Sequence, residues 1–385
     1  MSEIYYGRGN EMLYDDYMDF INYVFGFNGN GQDFKKLLPK LYKPAFKPVE
    51  SSYITLEDGK LRAAVGAFDH KLMVCGTELK CRGIGNVAVH PYHRSRGFMR
   101  ALMNMSVDDM IADGVVLSEL GGRRQRYNYF SYEKTGTAYH FSVNSDNIRH
   151  CFGAEPDKYR TVSLRRLSAD DTGFLSDIGR LLASQPYNPC RPSAELYDIM
   201  SSWGCCVYAV LKADTFAGYA VAGSKSVHEI MLADDDDFIP AIIALYDKFG
   251  GAYSITLPPF RPEYIKKLYR VCEGYEIVTD KSFSVLNYRV VTEAFAKLKL
   301  TYTEVPDGEL TLLVHGRAGD ERLRIAVCGG EASVSKHTGT CELELDHIDA
   351  MNMLFSPMCP GREALSDFAR LLLPLPIWLY YADAV

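Results

Sequence analysis

The stretch that decides the fold is GNVAVHPYHRSRGFMRA, residues 85–101. Its β-branched run at residues 87–89 predicts a strand, and His90 and Pro91 predict a turn directly after it. A helical pattern begins after Gly97. The sequence therefore predicts a strand that passes through a short turn into a helix.

The turn before this helix has the composition of an anion-binding site. The first backbone N–H groups of a helix have no intrahelical partner, and they lie at the positive end of the helix dipole. Gly97 lets a ligand approach the backbone closely, because it has no Cβ. Arg94 and Arg96 add positive charge beside those N–H groups. We therefore expect the turn to hold a pyrophosphate.

A second glycine pattern in this region, G-x-G-x-x-A at residues 83–88, matches the dinucleotide-binding fingerprint. That fingerprint has to follow a strand and open a helix. Here it precedes the strand, and Pro91 prevents a helix from starting directly after it. A dinucleotide site of that kind is therefore rejected.

The spacing Arg94-x-x-Gly97-x-Met99 resembles the Arg/Gln-x-x-Gly-x-Gly/Ala signature of the GNAT acetyltransferases. Met99 departs from that signature, but residues 87–103 are similar to the run VAV-x-P-x-H-R-x-R-G-x-x-R-A-L-M of the Eis-like (enhanced intracellular survival) branch. The resemblance implies direct, acetyl-CoA-dependent N-acetylation, with a strand N–H stabilising the oxyanion. The residues implied to bind acetyl-CoA are Val87, Ala88, Val89, Arg94, Ser95, Arg96, Gly97, Phe98 and Met99.

The same resemblance implies a general acid and a base. Residues 121–132 contain Tyr127-x-x-Phe130-x-Tyr132 after two glycines, similar to the Y-x-x-F-G-Y run of Eis-like proteins, with Ser131 in place of their Gly. The first tyrosine of that run is the family's general acid, which implies Tyr127; a phenol is protonated at neutral pH. In this family the C-terminal carboxylate enters the active site, which implies Val385 as the base, although members tend to end on an aromatic residue.

Other roles remain open from the residues alone. Tyr127 is one of 26 tyrosines and could simply pack in a core. The base could be another acid, or a His acting through water, and Asp383 could attract a cationic amine. The chain could also be a catalytically silent CoA- or lipid-binding protein, or an enzyme that acetylates proteins or peptides. A panel of amines and mass spectrometry of incubated proteins separate these alternatives.

The predicted elements divide the chain into three parts. Residues 1–150 are predicted to form a catalytic GNAT domain, and residues 151–288 a second, degenerate GNAT-like domain. In the second domain the acids at residues 234–237 replace Arg-x-x-Gly and would repel a pyrophosphate. Residues 289–385 follow the order of a domain resembling sterol carrier protein 2 (SCP2). The predicted fold class is α/β and α+β: tandem GNAT modules, each a mixed sheet with helices on both faces, plus an SCP2-like domain.

Local patterns place the elements around the predicted site. Strands are predicted at residues 52–56, 61–69, 71–81 and 83–89, with a hairpin turn at Asp58-Gly59. A long helix is predicted at residues 97–113, a strand at 115–117, and a second helix from 123 to about 132.

Composition limits the partners. The net charge of −7 argues against nucleic acid, and the apolar stretch at residues 371–382 contains two prolines and is too short to span a membrane. The N-terminus has no signal-peptide pattern, and ten cysteines without C-x-x-C favour a reduced, cytoplasmic setting. No metal-ligand spacing occurs around single histidines such as His70, His228 and His315. The family resemblance implies a small cationic amine as acceptor (aminoglycoside-, polyamine- or lysine-like) and a homo-oligomer, up to a hexamer.

Overall fold

The computed structural model describes residues 3–27, 29, 31–153 and 156–385. Its largest element is one mixed sheet that runs from the first predicted domain into the second. The strands of the first half are β1 (Ile4–Arg8), β2 (Ser52–Glu57), β3 (Lys60–Val74), β4 (Thr77–Val89), β5 (Leu117–Leu120) and β6 (Glu133–Val143). Those of the second half are β7 (Val162–Arg166), β8 (Tyr187–Asn188), β9 (Cys206–Lys212), β10 (Thr215–Ala222), β11 (Ser226–Leu232), β12 (Tyr253–Leu257) and β13 (Tyr275–Val285).

The two halves of this sheet exchange strands. The strand order is β1-β2-β3-β4-β5-β13-β6-β12-β11-β10-β9-β7, and β8 pairs with β3. Strand β13, from the second half, lies between β5 and β6 and is antiparallel to both. Strand β6, from the first half, pairs in turn with β12. Each half is therefore completed by a strand of the other, and the assignment of the halves as tandem GNAT modules stays a prediction.

Helices cover both faces of the first half of the sheet. On one face, helices α1–α3 pack in a buried cluster with Ala64 and Ala88. On the other face, α4 packs in a cluster with Val65 and Ile84. The helices up to the end of the sheet are α1 (Tyr14–Gly26), α2 (Phe34–Leu37), α3 (Pro39–Tyr42), α4 (Phe98–Ala112), α5 (Arg124–Tyr127), α6 (Ser145–Phe152), α7 (Thr172–Ala183), α8 (Leu196–Met200), α9 (Phe238–Phe249) and α10 (Pro262–Val271).

The third part of the chain forms a separate sheet in the order β16-β15-β14-β17. Its predicted α+β order is observed, and its likeness to SCP2 stays a prediction. None of the helices in the described ranges is both long and apolar enough to cross a membrane. The elements are α11 (Tyr288–Leu300), β14 (Gly308–Gly316), β15 (Gly319–Cys328), β16 (Glu331–Lys336), β17 (Leu343–Asp346), α12 (His347–Phe355) and α13 (Asp367–Leu372).

The predicted strand breaks near residues 70 and 82 are wrong. Strand β3 continues to Val74, and the turn to β4 lies at Cys75 and Gly76, whose φ angles are 45° and 80°. A tight hairpin needs positive φ at both central residues, which glycine adopts without strain. The predicted hairpin turn at Asp58-Gly59 is confirmed, with φ angles of 50° and 75°.

The predicted helix from residue 123 to about 132 is also wrong in length. Helix α5 ends at Tyr127, and a 3₁₀ turn leads to Ser131, whose φ of 68° is left-handed. Side chains on this turn bind the buried carboxylate of Glu133: Arg124 Nη2 donates over 2.8 Å and Asn128 Nδ2 over 2.9 Å. These hydrogen bonds to Glu133 therefore hold residues 128–131 in a turn, where the sequence predicted the last part of the helix.

Candidate active site

Strands β4 and β5 separate at the predicted site. Their parallel ladder ends at Ile84 opposite Leu120, whereas β4 continues to Val89. A bulge at Asn86, with φ of 46°, places two residues of β4 opposite one residue of β3. Bulges re-aim side chains and end pairing. Beyond the bulge, one edge of β4 borders a gap in the sheet.

A cleft of about 860 Å³ lies on the α4 side of this gap. Its lining includes every residue predicted to bind acetyl-CoA except Ala88, whose side chain packs on the opposite face. Gly97 is the N-cap of α4, with φ of 81° and no side-chain cap, so the N-terminal N–H groups remain available. The cleft therefore combines a helix N-terminus with the end of β4.

The cleft is strongly cationic. Arg94, Arg100 and Arg123 line it and form no ion pair with any residue that the structure describes. By contrast, both terminal nitrogens of Arg96 donate to the Glu57 carboxylate, over 2.6 and 2.8 Å. Unpaired guanidinium groups in a cleft favour a phosphorylated ligand. The guanidinium of Arg96 is already paired with Glu57, and the predicted role of Arg96 in binding the cofactor stays a prediction.

Sequence reasoning missed three cationic residues of this cleft. Arg100 lies in the first turn of α4, and Arg123 and Arg126 follow β5. The only sequence signal for the last two was the basic run at residues 123–126, which precedes Tyr127.

Tyr127 lies on the same face of the sheet as this cleft. It belongs to the buried cluster that contains Ile84 and Leu120, the last paired residues of β4 and β5. Gly122 leaves room for its ring, since a Cβ at Gly122 would lie 2.5 Å from Tyr127 Cε2. Burial raises the pKa of the Tyr127 phenol. The group therefore stays protonated at neutral pH, as a proton donor must.

The end of the chain lies on the opposite face of the sheet. The carboxyl carbon of Val385 lies 3.2 Å from the position that a Cβ on Gly85 would occupy. Val385 packs with the cluster that contains Phe68 and Ala88, under helices α1–α3. The structure thus brings the predicted base to β4 beside the gap, and it brings Tyr127 to the other face.

Buried polar side chains hold the tail in this position. Lys40 Nζ donates to the carbonyl oxygens of Ala382 and Ala384, each over 2.7 Å. Trp203 Nε1 also donates to Ala384 O, over 2.9 Å. Arg191 binds the Asp383 carboxylate over 2.8 and 2.9 Å. Sequence reasoning missed Lys40, Trp203 and Arg191, since nothing local marks them.

Two cavities meet at Val385. One of about 570 Å³ is lined by Lys40, His70 and Asp383, among others. The other, of about 440 Å³, is lined by Glu119 and by five aromatic rings, those of His140, Trp203, His228, Trp378 and Tyr381.

The smaller cavity is rich in carboxyl groups. Glu119 and Asp280 line it, and burial raises the pKa of each carboxyl. Asp280 pairs with Lys281 at 3.1 Å. Burial lowers the pKa of His228 to about 4, which keeps that imidazole neutral where it stacks on Tyr381. Carboxyl groups and aromatic faces together favour a cationic ligand.

Comparison with known proteins identifies the first part of the chain. Residues 6–139 match the family model described as an acetyltransferase (GNAT) domain. That part is therefore a GNAT acetyltransferase domain, and the protein is an acyltransferase. A GNAT domain implies acetyl-CoA as cosubstrate. No curated protein matches the sequence.

Solved structures share the fold over nearly the whole chain. A GCN5-related N-acetyltransferase from Anabaena variabilis superposes with a TM-score of 0.67 at 14% identity, over 97% of this chain and 96% of that one. Another from Kribbella flavida gives 0.63 at 17%, over 91% and 88%. Eis1 from Mycobacterium abscessus gives 0.60 at 13%, over 100% and 99%. Identities this low establish the fold alone.

Proposed function

We propose that this protein transfers an acetyl group from acetyl-CoA directly to the primary amine of a small cationic acceptor. One observation carries the proposal: a cationic cleft and a terminal carboxylate lie on opposite faces of the sheet, at the same gap between β4 and β5. A thioester held in that gap would be reached by the acceptor from one side and by an acid from the other.

The cleft on the α4 side fits the phosphates of CoA. Arg94, Arg100 and Arg123 have no ion-pair partner within the described ranges, and the α4 N-terminus has no side-chain cap. Anions bind such helix termini because the N–H groups point at the ligand. The backbone of Val87, Ala88 and Val89, on the edge of β4 beside the gap, is our candidate for the oxyanion donor. The thioester supplies the activated acetyl group.

The proposed chemistry divides acid and base between the two faces. The Val385 carboxylate accepts a proton from the acceptor amine, whose nitrogen then bonds to the acetyl carbon. The C–S bond breaks, and the Tyr127 hydroxyl donates its proton to the departing thiolate. The amide nitrogen then loses its second proton, which restores the Tyr127 phenol. The products are an acetamide and free CoA thiol. Buried Tyr127 suits this role because its raised pKa keeps the proton in place until a thiolate forms.

The acceptor class rests on charge. The carboxyls of Glu119 and Val385 border the smaller cavity and form no ion pair with a lysine or arginine that the structure describes, whereas Asp280 is paired with Lys281. Aminoglycoside-, polyamine- and lysine-like amines remain the candidates. From the cysteine usage we also propose a cytoplasmic setting, and from the family resemblance a homo-oligomer, up to a hexamer. Light scattering on the purified protein would test the oligomer.

The test is turnover of acetyl-CoA with a panel of amines, followed by release of free thiol. We expect turnover with at least one cationic amine, and calorimetry should give one CoA site per chain, because Asp234 and its neighbours replace the cationic turn in the second half. Tight CoA binding without turnover on any amine or peptide would instead support a silent binding protein. Two CoA sites per chain would contradict the proposed single site.

A further inference from the structure

Glu119 is a buried carboxyl that borders the smaller cavity and to which the proposed proton transfers give no role. It is 2% exposed, and its Oε1 has no hydrogen-bond partner among the described residues. Its Oε2 lies 3.6 Å from Nε2 of His70. Both ring nitrogens of His70 are likewise buried without a hydrogen-bond partner in the described part of the chain. Unsatisfied buried polar atoms cost stability, so folding alone does not explain this pair.

Glu119 lies next to the side chain of the terminal residue, Val385. A Cβ on Gly83 would lie 2.3 Å from Glu119 Oε1 and 2.5 Å from Val385 Cγ2, so both side chains occupy the space above this glycine. Gly85, two residues along the same strand face, borders the Val385 carboxyl carbon. Glycine at position 83 therefore leaves room for the Glu119 carboxyl beside the Val385 side chain, and Gly85 leaves room for the Val385 carboxyl group.

The pair also connects the two cavities. Glu119 lines the 440 Å³ cavity, and His70 lines the 570 Å³ cavity. Val385 lines both. Glu119 and His70 thus form a second, buried connection between the two cavities, beside Val385.

We propose that Glu119 and His70 carry the acceptor's proton from the Val385 carboxylate to the 570 Å³ cavity. This relay rests on the proposed function. The protonated Val385 carboxyl gives its proton to Glu119, and Glu119 gives it to His70 Nε2. His70, whose side chain lines the 570 Å³ cavity, then releases a proton to water there. At each step one O–H or N–H bond breaks and another forms, with no change in oxidation state.

The surroundings of Glu119 suit a group that gains and loses a proton. Burial raises the pKa of its carboxyl, and nearby positive charge opposes that rise. The titratable and charged groups around Glu119 are His70, Lys40, Lys281, Asp383, Tyr132, Cys81 and the Val385 carboxylate.

The test compares Glu119→Gln and His70→Ala in the full-length protein, with acetyl-CoA and an amine that the wild type accepts. We expect Glu119→Gln to lower kcat by about tenfold or more, and to shift the acidic limb of the pH profile, while the acetyl-CoA Kd stays unchanged. His70→Ala should also lower kcat, and added imidazole should restore it. His315→Ala is the matched control, since His315 is exposed and pairs with Asp320 and Glu344.

The outcomes separate the relay from the proposed function. If the wild type turns over and a blocked C-terminus is slow, but neither Glu119→Gln nor His70→Ala changes the rate, the relay is wrong and the transfer chemistry stands. If the wild type shows no turnover, the proposed function itself fails. If melting curves show that Glu119→Gln does not fold, the relay is tested by imidazole rescue of His70→Ala instead. A His70→Ala variant that is slow and that imidazole does not restore contradicts the relay.

Discussion

Extending the chain by Gly-Ser after Val385 should slow acetyl transfer without unfolding the protein. The extension carries the terminal carboxylate away by up to ~7 Å of chain. At an effective dielectric constant of 20, a carboxylate attracts an ammonium by about 4 kcal/mol at 4 Å and about 1.5 kcal/mol at 11 Å. The difference of about 2.5 kcal/mol corresponds to a loss of about 70-fold in kcat/KM. Loss of the base itself extends the range to about 10⁴-fold.

The melting temperature should change little, because the anchors act before the last residue. Lys40, Trp203 and Arg191 bind Ala382, Asp383 and Ala384, and none of these contacts involves the Val385 carboxylate. The assay is thiol release with acetyl-CoA and an accepted amine, alongside thermal unfolding. Val385→Ala is the matched control, since it keeps the carboxylate and should retain turnover. Full activity of the extended chain would refute the assignment of the base.

Three further results are expected. Tyr127→Phe should fold normally, bind acetyl-CoA as before and lose about 10²–10⁴-fold in kcat, and near wild-type turnover would make Tyr127 a packing residue. Arg94→Gln should weaken CoA binding, measured by calorimetry, by about 1.5–3 kcal/mol. Arg96→Gln should mainly lower the melting temperature, because it breaks the ion pair with Glu57. The reverse pattern would contradict the arrangement of these two arginines. Burial lowers the pKa of Lys40 to about 7, so between pH 7 and about 10 the unfolded chain binds more protons than the folded one. The free energy of unfolding should gain a contribution that rises with pH over this window, and urea titrations of Lys40→Met should show that contribution missing.

Local chemistry determined much of this protein from its sequence. Helix α4 begins one residue after Gly97 and ends at Ala112, close to the predicted bounds. The hairpin turn at Asp58-Gly59 also lies where the sequence predicts it. Such elements follow from turn residues, caps and apolar periodicity within a few positions of each other, and the cationic turn of residues 94–97 is equally local. The matched GNAT domain also begins and ends within the predicted first part.

The tertiary structure decided everything that depends on distant residues. Lys40 binds the carbonyl oxygen of a residue that lies 344 positions away in the chain, and Glu57 forms an ion pair with Arg96, which lies 39 positions away. Strand β13 enters the first half of the sheet, and Glu119 meets His70 and Val385 above Gly83. No local preference encodes these contacts, because the strand order and the buried charge pairs depend on which surfaces pack together when the chain folds. The turn could therefore be predicted from the sequence, whereas the two faces of the site exist only in the folded sheet.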